Sequence, residues 1–187
     1  MSDKSQREKL LWSALIPQFA LMLLSIVWIN LEPEDNVLKY FKLDFKIVIE
    51  GVLTGIVLAV LGYLFYKIAK KVKALEATVE LFEKILVPTF KDTKVTDIFS
   101  LSIISSFCEE TFFRGLLLPQ YGIVISSVAF GILHLPGFKY WIYALWATLS
   151  GALLGWLFLF SGSIWLPIIA HAVNNIIGMF MLKKIKV

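Results

Sequence analysis

With 58% hydrophobic residues over 187 positions and a mean hydropathy of +0.79, this chain is more apolar than the about 45–50% of a soluble domain, so it is excluded from that class. A net charge of +4 would suit a nucleic-acid binder, but the lysines cluster beside apolar runs, where they set membrane topology, so no nucleic acid is expected as a partner. The one cysteine, Cys108, excludes an internal disulfide framework.

Residues 1–9 are polar, with Lys4, Arg7 and Lys9, and an apolar run from Leu10 to Leu31 follows. The run is long enough to span a bilayer and longer than a signal-peptide core, and no small-residue cleavage site follows, so it reads as a retained first span. The loop 32–45 is mixed in charge, with Glu32, Glu34, Asp35 and Asp44, and a second span runs from Ile47 to Tyr66. Lys67, Lys70, Lys71 and Lys73 come directly after it. In 74–92, Leu75, Val79, Phe82, Leu86 and Phe90 recur at helical spacing, with Glu76, Glu80, Glu83 and Lys84 between them. This pattern predicts an amphipathic helix, interrupted near Pro88, lying at the membrane interface or packed on the protein's own core.

A third span is expected from Thr96 to Leu118, a tight turn over Pro119–Gly122, and a fourth span from Ile123 to Leu135, ending at Pro136-Gly137. A fifth runs from Tyr140 to Phe160; Ser161-Gly162-Ser163 turns the chain into a sixth, Ile164 to Leu182, before the basic Lys183, Lys184 and Lys186. Gly151 and Gly155 form a small-xxx-small packing pattern. Six spans put both termini on one side. With that side inside, 14 of the 18 lysines and arginines are cytoplasmic, which predicts a cell-membrane protein with both ends in the cytoplasm.

The third span contains Phe-Cys-Glu-Glu-Thr-Phe-Phe-Arg-Gly, residues 107–115. Charges inside a span are costly and mark function. At about 100° per residue, Glu110 and Arg114 share one helical stripe at ion-pair spacing, whereas Glu109 points about 140° away from Arg114. One carboxylate is thus neutralised and the other left free for chemistry.

Both histidines, His134 and His171, also fall inside predicted spans. Counted from the turn near Gln120 at 1.5 Å per residue, Glu109 lies roughly 16 Å and His134 roughly 21 Å from that surface. Counted from Gly162, His171 and Asn175 lie roughly 14 and 20 Å deep, on one face of their helix. A carboxylate and a histidine at one depth can take a proton from a shared water. A second histidine and an amide can donate to the oxyanion of a tetrahedral intermediate. Such parts suffice to hydrolyse a peptide bond without a covalent enzyme intermediate.

Glu109-Glu110-xxx-Arg114, Phe130-xxx-His134 and His171-xxx-Asn175, in this order on separate spans, resemble the three motifs of the CAAX-protease and bacteriocin-processing family of intramembrane glutamate proteases, also called the Abi family. The resemblance covers roughly residues 95–180. It implies that Glu109 and His134 activate water, His171 and Asn175 stabilise the oxyanion, and Glu110 and Arg114 hold the site together. Phe130 would pack against the site, and Asn174 is expected to bond a neighbouring helix. The expected fold is all-α: a polytopic membrane bundle of about six transmembrane helices plus an amphipathic interfacial helix. Residues 1–94 form an N-terminal two-span region and 95–187 a four-span catalytic core. The expected partners are the lipid bilayer and a membrane-tethered peptide or protein, with no cofactor and no metal.

Other chemistry explains less of the pattern. Two histidines and two glutamates suit zinc, but the chain lacks His-Glu-x-x-His and Arg114 opposes a cation. A nucleophilic Cys108 is disfavoured by apolar surroundings, which raise a thiol's pKa. Haem ligation leaves the Glu-Glu-xxx-Arg cluster unexplained, and a proton-relay transporter lacks an inverted repeat. A non-enzymatic bacteriocin-immunity or binding protein, with a purely structural polar layer, is the alternative from another class.

Overall fold

In lipid every backbone N–H and C=O needs a partner within the protein, so long apolar runs fold as helices. The computed structural model describes residues 3–32 and 37–185; the charged Glu34, Asp35 and Lys186 lie outside the described residues. Within them the chain is helical, with no strand. Helix α1 covers Asp3–Leu31 and α2 covers Phe45–Ala69; α3 (Glu76–Glu80) and α4 (Val87–Phe90) flank a π-helical turn, Leu81–Leu86. Helix α5 (Val95–Glu110) runs through a second π turn, Thr111–Leu117, into α6 (Leu118–Leu133). Helices α7 (Trp141–Ser161) and α8 (Trp165–Lys184) complete the bundle.

Helix α1 starts well before the expected Leu10. Its polar first turns are tied down: the Arg7 guanidinium grips both oxygens of Asp97, and Asp97 caps α5 by accepting from the Lys94 N–H at 2.8 Å.

Five helical stretches of the described residues are long and apolar enough to cross a membrane, the longest being Val95–Leu133. A straight helix of that length would reach about 58 Å, nearly twice a bilayer's hydrocarbon core. It does not run straight. Gly122, at φ +80°, breaks it, and α6 folds back on the π turn. The Ser126 hydroxyl donates to the Phe113 carbonyl at 2.8 Å, and the Phe113 and Phe130 rings lie 5.2 Å apart. The expected third and fourth spans are these two arms. The reversal is sharper than the turn expected over Pro119–Gly122, because helix persists through Pro119 and only Gly122 leaves it.

Both π turns end two residues before a proline, Pro88 or Pro119. A proline has no N–H, and its ring crowds the carbonyl four residues back. Widening to i→i+5 bonds, Val87 N–H to Phe82 O and Leu118 N–H to Phe113 O, carries each helix past the obstacle.

The segment 74–92 packs on the protein's own core, one of the two placements expected for it. Thr78, Leu81 and Val87 are buried, and Phe82 meets the Tyr66 and Tyr143 rings at 5.3 and 6.1 Å. Ion pairs Lys70–Glu83 (2.8 Å) and Lys139–Glu80 clip the segment to the end of α2 and to the turn before α7.

Between helices in lipid, close packing replaces the hydrophobic drive, so small residues mark the interfaces. A Cβ on Gly55 would come within 2.6 Å of both the Ala170 carbonyl oxygen and Val173 Cβ, and one on Gly51 within 2.8 Å of Ile169 Cβ. These two glycines, four apart on α2, let α2 lie directly on α8. Gly131 does the same for α6 against α7, where a Cβ would stand 2.7 Å from the Ala144 carbonyl oxygen.

Candidate active site

The polar layer is assembled from α1, α5 with its π turn, α6, α7 and α8. Glu110 and Arg114 are fully buried, and the expected i,i+4 pair is present, with Arg114 Nη1 donating to Glu110 Oε1 at 2.9 Å. The same oxygen accepts from His171 Nδ1 at 2.7 Å. Arg114 Nη2 donates to the Gly151 carbonyl at 3.0 Å, so Gly151 serves the arginine as well as helix packing. A Cβ there would lie 3.2 Å from Nη2 and 3.1 Å from the Phe130 ring.

Glu109, also buried, has a different environment. Its Oε1 accepts from the Gln18 side-chain amide at 2.8 Å. Its Oε2 has no hydrogen-bond partner among the described residues and lies 3.7 Å from His134 Nε2. His134 Nδ1 donates to the Phe130 carbonyl at 2.8 Å, so in the neutral ring Nε2 carries the lone pair. Lone pairs of a carboxylate and an imidazole therefore face each other 3.7 Å apart.

Phe130 touches most of the layer. Its ring lies 4.3 Å from that of His134 and 5.8 Å from that of His171, and the Arg114 guanidinium sits over it at 4.4 Å. It separates the two histidines while shielding the buried cation.

His171 donates through Nδ1 to Glu110, so its Nε2 can donate to another group only when the ring is doubly protonated. Asn175 keeps only a long 3.5 Å contact from its amide nitrogen to Ser105 Oγ. Asn174 does not bond a neighbouring helix as expected. Its amide instead donates to Asn175 Oδ1, the next residue on the same helix, at 3.2 Å.

Two cavities meet here. One, of about 360 Å³, is lined by His134, His171 and Asn175 together with aromatic residues such as Tyr66, Phe82 and Trp146. The other, of about 540 Å³, lies against α1 and is lined by Gln18, Ser105, Glu109 and His134. His134 lines both. Among the described residues no group of three or more His, Cys, Asp or Glu is placed to hold a metal ion.

The three motifs, far apart in sequence, thus occupy one polar layer. Residues 91–177 match the Rce1-like family model, described as type II CAAX prenyl endopeptidase Rce1-like. All six candidate residues lie inside the Rce1-like stretch, which agrees with the family resemblance carried by the motifs. A segment of 84 residues is also 29% identical to the uncharacterized protein YpbD of Bacillus subtilis (strain 168), covering 45% of this chain and 44% of that protein. The matched segment is therefore less than half of that relative's length. No solved structure matches the chain.

Gln18 lies outside the Rce1-like stretch and was not singled out from the sequence. The available signal was an amide midway along the first apolar span, one position after Pro17.

Proposed function

We propose that this protein is an intramembrane endopeptidase that hydrolyses a peptide bond of a membrane-tethered protein or peptide, with Glu109 and His134 as the water-activating pair. The observation that carries this reading is the pairing of Glu109 Oε2 with His134 Nε2 at 3.7 Å, at the junction of two cavities, beside a separately neutralised Glu110–Arg114 pair. A water bonded to both acceptors loses a proton to them as its oxygen attacks the scissile carbonyl carbon. The carbonyl oxygen becomes an oxyanion, which Asn175 and protonated His171 stabilise by donating hydrogen bonds. When the intermediate collapses, the C–N bond breaks and the leaving amine takes the proton held by the pair. Glu110 and Arg114 touch no reacting atom; they hold His171 and α5 in register.

The Rce1-like match points to the substrate class: a protein anchored by a prenylated C-terminal CAAX sequence. The test compares the membrane proteomes of cells expressing the wild type and Glu109→Gln. It also measures both purified proteins on a quenched fluorescent CAAX peptide with a farnesylated cysteine. Uncleaved precursors that accumulate with Glu109→Gln, and loss of peptide turnover, are expected. Identical proteomes and equal turnover refute the reading.

A further inference from the structure

We propose that Gln18, on the first transmembrane helix, is a positioning residue that sets which oxygen of Glu109 acts as the base, so that α1 is part of the catalytic unit. The inference rests on the proposed peptidase reading.

An ionised carboxylate only accepts hydrogen bonds, so the amide facing it must present its NH2 group. Gln18 does so, donating to Glu109 Oε1 at 2.8 Å. That bond occupies one oxygen and leaves Oε2 toward His134 Nε2. Because the donor is neutral, Glu109 is oriented without being neutralised, unlike Glu110, whose Oε1 is shared by Arg114 and His171. Among the described residues Glu109 has no other hydrogen bond that fixes its rotation, since Oε2 has no partner there. Helix α1 is itself held apart from this contact, by Arg7 on Asp97 and by Trp28, whose ring meets Phe112 at 6.1 Å. The amide can therefore be removed without detaching the helix. Pro17 strengthens the case, because it removes a backbone bond next to Gln18 and loosens the helix where the side chain must reach across.

The titratable or charged groups around Glu109 are His134 on α6, Tyr143 on α7, and Cys108, Glu110 and Arg114 of its own segment. None of these bonds Oε1. A second carboxylate at position 18 would share a proton with Glu109 and remain a donor only while that proton is kept.

The experiment measures kcat and KM across pH on the farnesylated CAAX peptide for wild type, Glu109→Gln, Gln18→Leu and Gln18→Glu, with the thermal midpoint of each. Gln18→Leu should lower kcat by about 10²-fold at every pH, the cost of a misplaced catalytic group. Its KM and thermal midpoint should stay near wild type. Gln18→Glu should turn over at neutral pH and lose activity on the alkaline side at lower pH than the wild type does. A merely structural glutamine predicts no such pH-dependent rescue. Loss of activity in Glu109→Gln together with wild-type kcat in Gln18→Leu overturns the inference alone. Wild type that cleaves nothing, or Glu109→Gln that cleaves as well as wild type, overturns the peptidase reading and this inference with it.

Discussion

The sharpest test of the division of labour between the two carboxylates is stability, not activity. In Glu110→Ala, Arg114 keeps its bond to the Gly151 carbonyl but loses its ion-pair partner while fully buried. His171 Nδ1 loses its acceptor at the same time. Breaking one partner out of a buried pair costs about 3–5 kcal/mol, and the stranded histidine donor falls within the same loss because both bonds share one oxygen. At about 1.4 kcal/mol per decade, this lowers the folding equilibrium by roughly 10²–10³·⁵. Glu109→Gln breaks no ion pair with Arg114 and keeps an oxygen for Gln18, so its cost should stay below about 1 kcal/mol. The double variant Glu110→Gln with Arg114→Met should recover much of the loss, since removing both charges avoids the unpaired one. Thermal unfolding in detergent, followed by binding of a thiol-reactive dye to buried Cys108, gives the three midpoints. A Glu110→Ala midpoint equal to wild type, or a double variant no better than the single one, would refute the argument.

Asn175→Ala should lower kcat by about 10²–10³-fold with little change in KM, the loss of one oxyanion donor; a pure KM effect would move Asn175 to substrate binding. Gly55→Ala should cost about 1–3 kcal/mol through forced separation of α2 and α8, and should lower kcat because α8 carries His171 and Asn175; unchanged thermal midpoint and rate would contradict this. Glu83 accepts from Lys70 first and from Tyr66 second, which holds its carboxyl below the usual 4.5. Its contribution is therefore complete above about pH 4.5 and fades as pH falls through the lowered value, so the midpoint gap between wild type and Glu83→Gln should shrink on acidification. Cysteines placed at Lys71 and Lys184 should be labelled only from the cytoplasmic side; labelling from outside would reverse the topology argued from lysine bias.

What was legible in the sequence is what one helix carries by itself. Spans are set by local hydropathy, and the Glu110–Arg114 pair by the pitch of a single helix, so both could be placed without a partner helix. The spacing His171-xxx-Asn175 likewise shows a shared face. Which helix stands opposite that face is a tertiary fact. Angles about one axis reveal neither that Glu110 faces His171 nor that Gln18 reaches Glu109 across 91 positions. The π turns were hidden for another reason. Pro88 and Pro119 read as breaks, because a proline in an α-helix is an obstacle, yet each helix absorbs its proline by one wider turn just before it. The second π turn also alters the angle between Glu109 and Arg114 assumed from regular α pitch. Gly51 and Gly55 were as visible as Gly151 and Gly155 and were passed over, although they form the closer contact.

The placement of Glu110 and Arg114 on one continuous segment has a consequence for biogenesis. Opposite charges held by different helices must each cross into lipid before they can meet, and the translocation machinery faces both costs separately. Here the two enter together, one turn apart, already cancelling each other. The fold-back at Gly122 then brings Phe130 over the arginine within the same stretch of nascent chain, before α7 and α8 have been made. The Glu110–Arg114 charges are thus paired within one segment before the later helices exist, and α7 and α8 then add the Gly151 and His171 contacts to a pair already formed.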